Sequence, residues 1–125
     1  MKRLIALLSI FTMIFVAGTQ VFAAEMTAKD KELIQNLKHQ DLTKRIDAAQ
    51  KLAERDCKGA EEELIHMLKN DKEFQARIVA ATSLMKIGDE NALKAIQQQA
   101  ENDDVKTART VMKGIVDKMR AGQSS

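Results

Sequence analysis

Two hydrophobic patterns divide the chain. Leu4 to Ala17 form an apolar run broken only by Ser9 and Thr12, whereas from Leu33 onward apolar residues recur every three or four positions. The second pattern has the period of amphipathic helices, and it predicts six. The first covers about 28–39, opened by Thr27 and Asp30 at capping-box spacing, with Leu33, Ile34 and Leu37 inward. The second covers about 42–56. The third covers about 60–69, with Glu61, Glu62 and Glu63 well placed at its positive N-terminus. The fourth covers about 72–87 and ends at Gly88, which suits a left-handed cap. Asp89 caps the fifth, to about Glu101. Asp103 caps the sixth, to about Ala121, with Gly122 after it.

The helices repeat. Set against itself at an offset of 32, the chain aligns Arg45, Arg77 and Arg109. Ala48, Ala80 and Met112 coincide, as do Leu52, Leu84 and Val116. Leu42 falls on Phe74, Ile46 on Ile78, Ala49 on Ala81 and Ala53 on Met85. Leu64 falls on Ile96, and Ala60 on Ala92. Helix pairs that cannot bury an apolar face alone, repeated at such a period, form an α-solenoid. The expected fold is therefore all-α, with about three stacked helix pairs. A six-helix bundle without repeats would match some apolar positions, but would rarely align three arginines too. Asp71 precedes Arg77 by six residues and Asp103 precedes Arg109 by six; the first loop is one residue shorter, and Asp41 precedes Arg45 by only four, so it is not an equivalent partner by spacing. In the last copy the row Leu42, Ile46, Ala49, Ala53 becomes Lys106, Thr110, Lys113 and Asp117. That polar switch is what a terminal capping helix needs, and it predicts a monomer.

At these residues the chain resembles the HEAT-repeat family, and more closely the short HEAT-like repeats of phycobilisome lyases. The resemblance lies in Asp71, Arg77-Ile78, Ala80-Ala81 and Leu84, followed by Ile87-Gly88-Asp89. It returns in Arg45-Ile46, Ala48-Ala49 and Leu52. The third copy has Asp103, Arg109 and Val116, but Met112-Lys113 replace its alanine pair. It covers about 41–119 and reaches more faintly to Leu33. It implies stacked helix pairs, with Arg45, Arg77, Arg109, Asp71 and Asp103 in a bonded structural column between repeats. It implies no particular activity, since such arrays serve many partners.

The N-terminal run is different in kind. Lys2 and Arg3 precede it, and Val21-Phe22-Ala23 place small residues at the −3 and −1 positions of a cleavage site. This is the plan of a secretory signal peptide over 1–23, cleaved after Ala23 or, as second choice, after Ala24. No cysteine follows the run, so a lipoprotein anchor is excluded. The competing reading, an uncleaved anchor, must carry Gly18, Thr19 and Gln20 inside a span of mostly apolar residues. The expected organisation is a signal over 1–23, a helical repeat domain over 24–122 and a frayed tail over 123–125. Export, with the periplasm as destination, follows.

Cleavage changes the charge. The chain has 125 residues and a net charge of +2, and both surplus charges leave with Lys2 and Arg3. A neutral mature chain offers no general attraction to nucleic acid. Three of the four phenylalanines leave too, and Phe74 is the one ring that stays. Stacking on bases or sugars is then not available. After cleavage no membrane association is expected.

Candidate chemistry is sparse. Glu62 and His66 share a helix face and could give a metal two ligands, or form a solvated pair. Cys57 could be a buried small hydrophobe, a free thiol or half of an intermolecular disulfide. Met67, Met85, Met112 and Met119 sit at core spacing. No nucleophile pattern, Gly-rich phosphate loop or carboxylate pair in an apolar setting stands out. No enzyme, cofactor or metal is expected. One surface remains: Glu62, His66 and Lys69 in the third helix, Lys94, Gln98 and Glu101 in the fifth, and Lys31, Gln35 and Lys38 in the first. These would form the exposed inner curve of the array, or an ordinary solvated face. The expected function is protein binding or assembly through this face, with an unidentified protein partner. The alternative is a lyase-like accessory that holds a cofactor or chromophore.

Overall fold

The computed structural model describes residues 26–124, so the predicted signal lies outside the described residues. It contains six α-helices: α1 (Ala28–Asn36), α2 (Leu42–Glu54), α3 (Glu61–Asn70), α4 (Phe74–Ile87), α5 (Glu90–Asn102) and α6 (Lys106–Gln123), with a 3₁₀ turn at Lys58–Ala60. No strand occurs among the described residues. The helices form two layers. In one, α2 packs on α4 and α4 on α6; in the other, α3 packs on α5. Each short loop joins an antiparallel pair, α1–α2, α3–α4 and α5–α6, and the last two pairs are the most closely packed. No described helix is long and apolar enough to cross a membrane.

The repeat register fills the core. Leu33, Leu64 and Ile96 are buried at equivalent places in α1, α3 and α5, and Ala48, Ala80 and Met112 in α2, α4 and α6. The alanines let neighbouring backbones approach closely, and tight interiors leave no room for larger side chains there. Ser83 meets the same closeness with a hydrogen bond, its Oγ donating to the Ala49 carbonyl at 3.0 Å. Such a bond is required of a hydroxyl removed from water.

Local signals explain most helix ends. Thr27 and Asp30 form the capping box. The Asp89 carboxylate accepts the Ala92 N–H at 2.9 Å. Gly88 ends α4 with φ at +54°, where a Cβ would stand 3.0 Å from the Met85 carbonyl. Two starts fall later than expected. Asp71 and Asp103 do not cap helices directly; each carboxylate accepts the N–H two residues on, from Glu73 at 3.0 Å and from Val105 at 2.9 Å. These turns keep both aspartates in loops and delay α4 to Phe74 and α6 to Lys106. At the far end α6 continues through Gly122 to Gln123, past the expected helix end near Ala121.

The end faces are charged. Lys106, Thr110, Lys113 and Asp117 are all exposed on α6. At the other end, Ala76, Ser83 and Ile87, buried in α4, correspond to Lys44 and Lys51 in α2 and Arg55 at its C-terminal cap, all exposed.

Candidate interaction surface and the arginine ladder

The aligned arginines line up along the loops that join each helix pair. Arg45 donates from Nη1 to the carbonyls of His39 and Gln40, both at 3.0 Å, in its own loop. Its Nε and Nη2 reach the next loop and grip Asp71 at 2.8 and 3.0 Å. Arg77 repeats the pattern. Nη1 donates to the Asp71 carbonyl at 2.8 Å, and Nε and Nη2 grip Asp103, both at 2.8 Å. Exposed Asp104 adds a contact at 2.9 Å. Each aspartate therefore serves two arginines, its carbonyl facing the one six residues on and its carboxylate the one 26 residues back. Such fork-to-carboxylate pairs are the strong, geometrically specific kind. Arg77 and two further donors, Gln99 and the Val105 N–H, hold the Asp103 carboxyl far below the usual carboxylate range against the opposing effect of burial. Arg109 has the carbonyl bond, to Asp103 at 2.6 Å, but no carboxylate among the described residues. Asp41 stands apart as the cap of α2, accepting the Thr43 N–H at 2.8 Å.

The nine residues expected on the inner curve are all exposed; eight lie on α1, α3 and α5, and Lys38 lies just beyond the end of α1. Six of them line two grooves. The first, of about 610 Å³, is lined by Lys38, His39, Glu63, His66 and Asp71 among others. Lys38 bridges it, with Nζ 3.0 Å from Glu63. The second, of about 580 Å³, runs between α3 and α5 and is lined by Glu61, Glu62, Lys69, Lys94 and Gln98 among others. Both grooves are charged and open. Lys31, Gln35 and Glu101 flank them without lining either one.

The structure brings together groups that lie far apart in sequence. His39 and His66 both line the first groove. His39 Nδ1 accepts the Asp41 N–H at 3.0 Å, and no set of three ligands able to hold a metal occurs among the described residues. Glu61 begins α3 and Asp89 caps α5 at one end of the second groove. The hydrogen bond with Asp89 pushes Glu61 up to about 7, with burial adding to the effect, while Asp89 is lowered. Asp89 thus opposes the ionisation of Glu61. Sequence spacing gave no sign of this pair, because it arises from two neighbouring helix starts outside the repeat register. Also unforeseen is the bond from Arg55 Nε to Asp30, at 2.6 Å, which ties the start of α1 to the end of α2. Cys57 is buried, and burial, followed by the charge of Asp30, raises its thiol.

These features agree with a comparison against known proteins. No curated protein matches the chain. A sequence profile described as HEAT repeats matches residues 31–113, which takes in α2 to α5 entirely with most of α1 and part of α6. The profile speaks for HEAT repeats in general and does not single out the lyases. With two-thirds of its length in the match and its helix pairs stacked in register, the chain belongs to the HEAT-repeat family.

Proposed function

We propose that this HEAT-repeat protein is an exported, periplasmic interaction or assembly module, cleaved after Ala23, whose α1–α3–α5 face contacts a protein partner. Repeats of this family commonly mediate protein–protein interaction. The observation that carries the assignment to this face is the common exposure of Lys31, Gln35, Lys38, Glu62, His66, Lys69, Lys94, Gln98 and Glu101, six of which line two grooves. The face is mixed in charge and lacks aromatic anchors, which suits a weak, exchangeable contact more than a permanent one. The role is binding and not catalysis, with no cofactor, and the free chain is a monomer. No observation favours the lyase-like reading over this one.

Photo-cross-linking groups placed at Gln35, His66 and Gln98 test the face. Partner adducts should form from these positions and be absent from Gln75, on the other layer. Equal adducts from Gln75 would sink the assignment. Intact mass tests export: the secreted form should begin at Ala24, and a membrane-bound form that retains Met1 would overturn it.

A further inference from the structure

We propose that the outer face of α6 is a receptor for a carboxylate-rich protein segment, anchored by the open guanidinium fork of Arg109. This surface lies on the α2–α4–α6 layer and meets the α1–α3–α5 face only at the groove between α5 and α6, which Glu101 also lines.

One arginine of the ladder lacks its carboxylate among the described residues. Arg45 and Arg77 each direct Nε and Nη2 at an aspartate. Arg109 occupies the same register and is fixed in the same way, by Nη1 on a loop carbonyl. Its Nε and Nη2 have no partner among the described residues. The fork is therefore preorganised for a carboxylate, and two loops of this molecule display the group that fills it. Preorganised, planar donors lose less freedom on binding than a flexible ammonium group would.

A further helical repeat is a poor source of that carboxylate. The row that receives the next helix is Leu42, Ile46, Ala49 and Ala53 in α2, and Phe74, Ile78, Ala81 and Met85 in α4. On α6 it is Lys106, Thr110, Lys113 and Asp117, all exposed. Docking an apolar helix there would bury charges without partners. Lys106 and Lys113 flank Arg109 on neighbouring turns, within about 10 Å along the helix axis. In the shallow groove between α5 and α6 the charge is mixed: Lys113 and Arg120 stand with Asp117 and Glu101. The basic patch is thus short: Lys106 and Lys113 beside the single fork of Arg109. That suits a loop with two or three acidic residues, as in the Asp103-Asp104 sequence of this chain. It suits nucleic acid less, since a phosphate backbone favours a longer cationic track and stacking rings.

The probe is an acetylated tetra-aspartate peptide, titrated at low salt into ¹⁵N-labelled protein and followed by NMR. The Arg109 Nε–H resonance should shift more than any other. Arg109→Lys, which keeps the charge and loses the fork, should weaken binding by roughly fivefold or more. Lys44→Ala, which removes an exposed charge at the opposite end, should leave binding unchanged. Unaltered affinity in Arg109→Lys would overturn the proposal, as would larger shifts at Lys31 and Lys38. So would tighter binding of a ten-nucleotide oligothymidylate than of the peptide. If Arg109→Lys loses its helix content, the wild-type titration decides alone: an Arg109 Nε–H signal that stays still at saturating peptide overturns the assignment.

Discussion

Arg77 and Arg109 stand in the same register of successive helix pairs, 32 residues apart, yet the molecule uses them differently. Arg77 is 6 % exposed and bonded through both edges of its guanidinium to two neighbouring loops. Arg109 is half-buried and bonded through Nη1 alone. The side chains are identical, and each is fixed by the carbonyl of the aspartate six residues before it. What differs is the neighbour. In a stacked array a repeated residue takes its role from the following repeat, so the same arginine is a fastener in the middle and a surface group at the end.

The sharpest way to break this contrast is to truncate both. Arg77→Ala should lower stability by about 2–4 kcal/mol, because Asp103 is left charged and buried without its partner. Arg109→Ala should cost no more than about 1 kcal/mol, the scale of one lost hydrogen bond. Urea denaturation of the two variants measures this, and equal losses would mean that the ladder is not what distinguishes the two places.

Asp103→Asn comes next, with an expected loss of about 2 kcal/mol, since one oxygen of the bidentate acceptor becomes a donor facing Arg77. It also sharpens the contrast through pH. The folded Asp103 carboxyl is depressed below its unfolded value of 3.8. Its contribution is therefore complete above that value and is lost as pH falls through the folded pKa. Wild type should lose stability on acidification below about pH 4, and Asp103→Asn should lose less; this sign follows from the depressed titration of Asp103. Acid titration followed by circular dichroism reads the difference.

Glu61→Gln has the smallest effect and the opposite sign. Glu61 is raised from 4.5 to about 7 in the folded protein. Its contribution is present at acid pH and is lost as pH rises between those values. Thermal melts of wild type should decline slightly over that interval, by less than about 1 kcal/mol given solvent screening. The decline should flatten in Glu61→Gln. A flat wild-type profile would mean that Asp89 does not hold Glu61 above its ordinary range.

The ladder shows how far the sequence alone could be read. The offset picked out Arg45, Arg77 and Arg109 because one side chain at one register repeats whatever it touches. Pairing was harder. Spacing within a copy drew attention to Asp71 beside Arg77, yet the Asp71 carboxylate goes back to Arg45 and only its carbonyl meets Arg77. Sequence distance favours the local partner, whereas the loop turn, closed by the Glu73 N–H on Asp71, aims the carboxylate at the preceding repeat. The same turns explain why α4 and α6 start later than their periodicity suggested. The exposed face was legible for a simpler reason: positions opposite Leu64 and Leu68 must face water once those leucines face the core. Asp30 with Arg55, and Glu61 with Asp89, were not legible, because each pair depends on how the end of one helix lies beside another and on no repeated position.

The loop of the first helix pair has a different consequence. His39 stands where the later loops carry Asp71 and Asp103, at the same offset of 32. The Arg45 bonds to the His39 and Gln40 carbonyls join that loop to α2, within the same pair. The α1 helix is then held by α2, by the Lys38–Glu63 contact and by Arg55 on Asp30. In the language of local unfolding, the two carboxylate steps make α2 to α5 one cooperative block, and α1 is a separate, weaker unit. Its amides should open to solvent without the block coming apart. One wall of the first groove would then form and dissolve while the second groove stayed whole.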